Sequence, residues 1–162
     1  LCAKLDIIGE GRKLDTNGSI MIKYDNGATG VYWASQIAAG YANALKIRVF
    51  GTKGSLEWEQ ENPNVLKVTI GDQPSKIYQR GYGYLDAVAS SRIPSGHTEG
   101  YYEAFSNIYN NFATALLAKK AGNPISAAEA DYPDVNAGID GVRFINKCVE
   151  SSNNGSVWVD LF

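Results

Sequence analysis

Residues 19–70 read SIMIKYDNGATGVYWASQIAAGYANALKIRVFGTKGSLEWEQENPNVLKVTI, and this stretch decides the fold. Residues 19–24 alternate, with Ile20, Ile22 and Tyr24 on one side and Met21 and Lys23 on the other, the period of a half-buried strand. Asp25-Asn26-Gly27 follows, and Asn-Gly between alternating runs marks a hairpin. Residues 30–37 form the return strand, and residues 45–52 alternate again, with Leu45, Ile47 and Val49 against Lys46, Arg48 and Phe50. Thr52-Lys53-Gly54 turns the chain tightly into residues 55–60, and Asn62-Pro63-Asn64 turns it once more into Leu66, Val68 and Ile70. Short connections between alternating runs specify an antiparallel meander with one face on a core.

Working outward, residues 1–8 read as a further strand and residues 9–18 as a polar loop. Downstream, residues 75–79 suit an edge strand, and residues 80–96 form a long passage without periodicity, the kind of connection that carries function or moves. A helix follows. Tyr101, Phe105, Ile108, Phe112, Ala115 and Leu116 recur at helical spacing, Lys119 and Lys120 suit the C-terminal end of its dipole, and Gly122 stops it. A second helix opens around Asp131-Tyr132-Pro133-Asp134, with Val135, Ile139, Val142, Ile145 and Val149 as its expected buried stripe. Residues 157–161 read as a closing strand. The fold class is therefore α+β: a large, mostly antiparallel, open-faced sheet with helices packed on one face.

On the strand at residues 30–37, Val31 and Trp33 share one face while Tyr32 and Ala34 share the other. Both faces are apolar enough to need a cover. Helices supply one, and a second copy of the sheet is the simplest cover for the other. The 162 residues suit one domain with a sizeable core. A net charge of −2 gives no electrostatic reason for a nucleic-acid or anionic-membrane partner, and no apolar run reaches the length of a membrane span. Cys2 and Cys148 lack metal-ligand spacing and read as free thiols of a reducing compartment, so a cytoplasmic location is expected. The chain opens on Leu1 inside a strand-like run, which suggests a piece of a longer protein.

Catalytic patterns are sparse. Gly9-Glu10-Gly11 follows a strand but lacks the third glycine and the helix of a dinucleotide fingerprint. A single histidine excludes a histidine-based metal cluster. That residue, His97, lies at the exit of the Tyr-rich passage and at the approach to the first helix, where it could contact a ligand or cap the loop. Glu99 beside it reads as an acid of the helix's first turn or a ligand contact. Tyr41 occupies a small, flexible loop between strands, and Arg80 opens the long passage.

The passages DNGATGVYWASQIAAG (25–40), LKIRVFGTKGSLEW (45–58), GHTEGYYEAFSNIYNNF (96–112) and GVRFINKCVESSNNGSVWVDL (141–161) resemble the C-terminal domain of the Gfo/Idh/MocA oxidoreductases. The resemblance runs over nearly the whole chain. It implies a substrate-binding and oligomerisation domain over residues 1–162, whose NAD or NADP is bound by an N-terminal Rossmann domain that this chain lacks. It further implies a sugar, polyol or related carbohydrate as substrate and a homo-oligomer formed through the open sheet face. The family's Glu-Lys-Pro motif is missing, and the place four residues before His97, where its Asp-x-x-x-His motif needs Asp, holds Ile93. No catalytic residue is therefore carried over, and the isolated chain is expected to be inactive. The segment Gly96-His97-Thr98-Glu99-Gly100-Tyr101 is similar to the family's Gly-His-Pro-Glu-Gly-Tyr, with Thr98 in place of Pro. His97, Glu99, Tyr41 and Arg80 are the substrate-binding candidates. Two other readings stand beside this one: a domain of an NAD-using, glycoside-cleaving member, and a protein-interaction module that uses the aromatic sheet face.

Overall fold

A computed structural model of the chain describes residues 1–84 and 90–162. The meander forms as seven antiparallel strands: β1 (Cys2–Asp6), β2 (Asn17–Lys23), β3 (Thr29–Ser35), β4 (Lys46–Gly51), β5 (Gly54–Glu59), β6 (Val65–Ile70) and β7 (Lys76–Gln79). Two helices, α1 (Tyr101–Ala121) and α2 (Val135–Asn153), complete the elements of the described residues. The antiparallel α+β class is as expected. The ladders, however, divide into a three-stranded sheet, β1-β2-β3, and a four-stranded sheet, β4-β5-β6-β7. Two compact units result: Leu1–Gly40 with Pro133–Phe162, and Tyr41–Tyr132.

In the first unit the Asn26-Gly27 signal makes the β2–β3 hairpin. Tyr24 N–H donates to the Ala28 carbonyl at 2.9 Å and the Asn26 side chain accepts from Ala28 N–H at 3.0 Å. Ala3 stands opposite Ile20, and Ile20 opposite Tyr32. These residues face α2, and the core gathers Leu1, Ala3, Ile20, Ile22 and Cys148, with Phe144 and Leu161 packed against it. Burial pushes the Cys148 thiol pKa up. On the opposite face Met21, Val31 and Trp33 are exposed.

The outer edge of β1 explains one departure. Ala3 N–H donates to Ser151 Oγ at 2.9 Å and Leu5 N–H to Ser152 Oγ at 3.0 Å, so helix hydroxyls take the positions that a further strand would fill. Residues 157–161 are consequently not a strand. They are held at Leu1, which exchanges both backbone hydrogen bonds with Val159. Ser151 is fully buried and its hydroxyl donates in turn to the Val157 carbonyl at 2.5 Å. Ser151→Ala would strand a buried donor and a buried acceptor together, and we expect a loss of about 2 kcal/mol. Urea denaturation checks this, and a change below about 0.5 kcal/mol would remove Ser151 from the account.

Both helices form where expected, and Asp134 caps α2 by accepting from Ala137 N–H at 2.9 Å. That bond, with one from the Asn136 side chain, holds the Asp134 pKa below the usual range. The stripes are a correction. Val135, Ile139, Val142, Ile145 and Val149 are exposed, because α2 turns the neighbouring face, Phe144, Cys148 and Ser151, to the core. In α1 Tyr101, Phe105, Ile108, Phe112 and Leu116 are likewise exposed, and only Ala115 is buried. Periodicity marks an apolar face, but what covers it is set by tertiary partners.

Candidate functional site

The second unit carries the candidate residues. Trp58 on β5 donates its indole N–H to the Pro63 carbonyl at 3.0 Å and so pins the turn that delivers Asn64 to the start of β6. Arg80, just past β7, donates its backbone N–H to the Asn64 carbonyl at 2.9 Å. The two side chains therefore meet at the open end of the β6–β7 hairpin, where Arg80 Nε donates to Asn64 Oδ1 at 2.8 Å.

Onto this pair the segment preceding α1 is fastened. Arg80 Nη1 donates to the Ile93 carbonyl at 3.0 Å and Nη2 to the His97 carbonyl at 2.5 Å. The Glu99 side chain is 5 % exposed and lies 3.4 Å from Arg80 Nη1. Its other oxygen accepts from Arg92 N–H at 2.6 Å and Ile93 N–H at 2.5 Å. Asn64 Nδ2 donates to the Glu99 carbonyl at 2.8 Å, and Asn64 Oδ1 accepts from Glu99 N–H at 3.2 Å. The backbone of Gly81 lies against Ser95 so closely that a Cβ there would come within 3.0 Å of Ser95 N. Residues 91–99 thus form a braced loop rather than a slack one.

Helix α1 begins at Gly100, whose N–H donates to the Glu103 carboxylate at 2.8 Å. The first-turn acid is therefore Glu103, with its pKa lowered by that bond, and not Glu99, which precedes the cap. Arg92 and Asn107 add a tie between the loop and the helix at 2.8 Å. A cavity of about 350 Å³ lies beneath, lined by Leu45, Trp58, Gln60, Glu99, Tyr101 and Phe105 among others.

The structure brings Arg80 and Glu99 together and engages both with the protein itself. His97 is on the same loop. Its backbone is held at both ends, by Pro94 and by Arg80, while its imidazole is exposed and has no hydrogen-bond partner among the described residues. Tyr41 is 66 % exposed, on a loop anchored to the end of β5 by Asn43 with Gln60 at 2.6 Å and Ala44 with Glu61 at 2.5 Å. Asn64 is the residue that sequence reasoning missed: its only signal was a turn, and a turn asparagine is ordinary. Residues 85–89, part of the long passage, lie outside the described residues.

The family model described as "Oxidoreductase family, C-terminal alpha/beta domain" matches residues 9–161. The chain belongs to the Gfo/Idh/MocA family, as a C-terminal domain. It is 40% identical to the Bacillus subtilis (strain 168) protein called uncharacterized oxidoreductase YfiI, over 99% of this chain and 42% of that protein. An inositol dehydrogenase homolog from Azotobacter vinelandii, solved with NADH and myo-inositol, is 40% identical with a TM-score of 0.88, over 98% of this chain and 43% of that one. An oxidoreductase from Sinorhizobium meliloti is 40% identical with a TM-score of 0.89, over 98% of this chain and 45% of that one. The chain therefore spans less than half the length of these relatives. No helix among the described residues is long and apolar enough to cross a membrane.

Proposed function

We propose that this chain is the substrate-binding and assembly half of an NAD(P)-dependent oxidoreductase that acts on a sugar, polyol or related carbohydrate. The observation that carries the reading is the 40% identity, over nearly the whole chain, to a protein solved with NADH and myo-inositol. Gly9 and Gly11 stand in the β1–β2 connection with no helix behind them to receive a pyrophosphate, which favours a cofactor held elsewhere. In this reading the cofactor, which accepts or supplies the hydride, is held by the part of the parent protein outside these residues.

The role of this chain is to bind and orient hydroxyl groups. His97 can donate to or accept from a hydroxyl without breaking any bond it already makes. Tyr41, also exposed, is the second contact. Arg80 and Glu99 serve as the frame, since their polar atoms are already engaged. The exposed Met21, Val31 and Trp33 favour assembly with a second copy through the sheet face. Cys2 and Cys148, as free thiols, favour a cytoplasmic location.

His97→Ala in the parent protein is expected to raise KM for the preferred polyol about tenfold and to change kcat far less, the pattern of lost binding to ground state and transition state alike. Steady-state kinetics over a panel that includes myo-inositol measures this. An unchanged KM for every polyol turned over would remove His97 from the site.

A further inference from the structure

Asn64 makes three hydrogen bonds through one side-chain amide, to Arg80 and to both backbone polar groups of Glu99. An amide can make about four, so this one is nearly saturated. Its partners are the two residues that hold the loop: Arg80 grips the carbonyls of Ile93 and His97, and the Glu99 carboxylate grips the N–H groups of Arg92 and Ile93. Arg80 and Glu99, which tie down the loop, are thus both bonded to one asparagine, in the turn that leads into β6. The exposed His97 imidazole, like the Ser95 and Thr98 hydroxyls, is left without a hydrogen-bond partner among the described residues, and it is the one of the three that can both donate and accept through a ring.

We infer that Asn64 is a positioning residue: through Arg80 and Glu99 it holds residues 92–99 in the one conformation that presents the His97 imidazole to a substrate hydroxyl. The inference rests on the reading of His97 as a substrate contact. Preorganisation of this kind lowers the entropic cost of binding, and a loop held by several hydrogen bonds places its donor more accurately than a free one.

A double-mutant cycle in the parent protein separates positioning from general stability. Asn64→Ala alone is expected to raise KM about tenfold with kcat little changed, and to speed hydrogen exchange at Arg92 and Ile93. In a His97→Ala background the same substitution should add almost nothing to KM, because the group it positions is gone. Asn64→Asp keeps the oxygen that accepts from Arg80 and should recover part of the loss. It takes the place of the alanine variant in the cycle should that variant melt before assay temperature. Additive losses in KM would show a merely structural asparagine and overturn the inference, as would an unchanged KM in Asn64→Ala. Faster exchange at Arg92 and Ile93 together with a silent His97→Ala would show that Asn64 braces the loop but that the loop does not serve the site. Both readings would then fall, and the point of failure would be His97.

Discussion

Gly54→Ala should cost roughly 3 to 4 kcal/mol, the largest loss expected from any single methyl group in this chain. Gly54 opens β5, directly after the Thr52-Lys53 turn, and pairs with Gly51 on β4 and Ile70 on β6. A Cβ built there would lie 2.1 Å from the Thr69 carbonyl oxygen and 3.1 Å from Ile70 Cα. Both are backbone atoms of the adjacent strand, so no side chain can swing away to relieve the clash. The φ of +156° is also one that side chains rarely adopt. Relief requires β5 to separate from β6 at its first pair, and that pair helps to set the register of the sheet carrying Asn64 and Arg80. Urea denaturation of the variant measures the cost. Gly27→Ala is the control: its φ is also positive, but nothing lies within 4 Å of the added carbon, so about 1 kcal/mol is expected. Equal losses in the two variants would mean that conformation alone, and not the close approach to Thr69, explains Gly54.

Glu99→Ala is the second large effect, at roughly 3 kcal/mol. The substitution leaves the Arg80 guanidinium, 18 % exposed, without its ion-pair partner, and removes the acceptor of two backbone N–H groups. Breaking one side of a buried pair costs far more than a surface ion pair contributes, because the remaining charge and donors stay desolvated. Added salt should change the loss little, since the pair is shielded from solvent. Glu99→Gln retains an oxygen for Arg92 and Ile93 and should cost about half as much. Thermal melts of both variants, with hydrogen exchange at Arg92 and Ile93, provide the readout. A Glu99→Ala loss below about 1 kcal/mol would place the strength of the loop in its other ties.

Strand order was legible because alternation and turn chemistry coincide at each corner. Asn26-Gly27, Lys53-Gly54 and Pro63-Asn64 each fall where one strand gives way to the next. The helix ends were legible for the same local reason: Asp134 caps α2 and Gly122, in the left-handed conformation, ends α1. The faces were not. Val135, Ile139 and Val142 form a regular stripe, yet the neighbouring face of α2 is buried, because the Ser151 and Ser152 hydroxyls satisfy the edge of β1. That choice depends on a strand more than a hundred residues away and leaves no local mark. The candidate site was half legible. His97, Glu99 and Arg80 were singled out as polar residues around an irregular passage; His97 and Glu99 lie on one loop, which Arg80 grips from the end of β7. Their division of labour depends on Asn64, whose side chain reaches across 35 residues of sequence to Glu99.

The two units also differ in when they can be completed as the chain is made. Tyr41–Tyr132 is one continuous stretch, and each of its strands pairs with the next in sequence. Such short loop closures are entropically cheap and fast, so the β4–β7 meander can assemble as soon as it leaves the ribosome. The other unit is split, and its β1 edge waits for Ser151, which follows Ala3 by 148 positions. Until α2 has emerged, Leu1, Ala3 and Ile20 have only the β1–β3 ladder to shelter them. The sheet that presents the polar loop is thus the early part of the protein, and the sheet that exposes Val31 and Trp33 is the late one, with the longer exposure to unwanted association during synthesis.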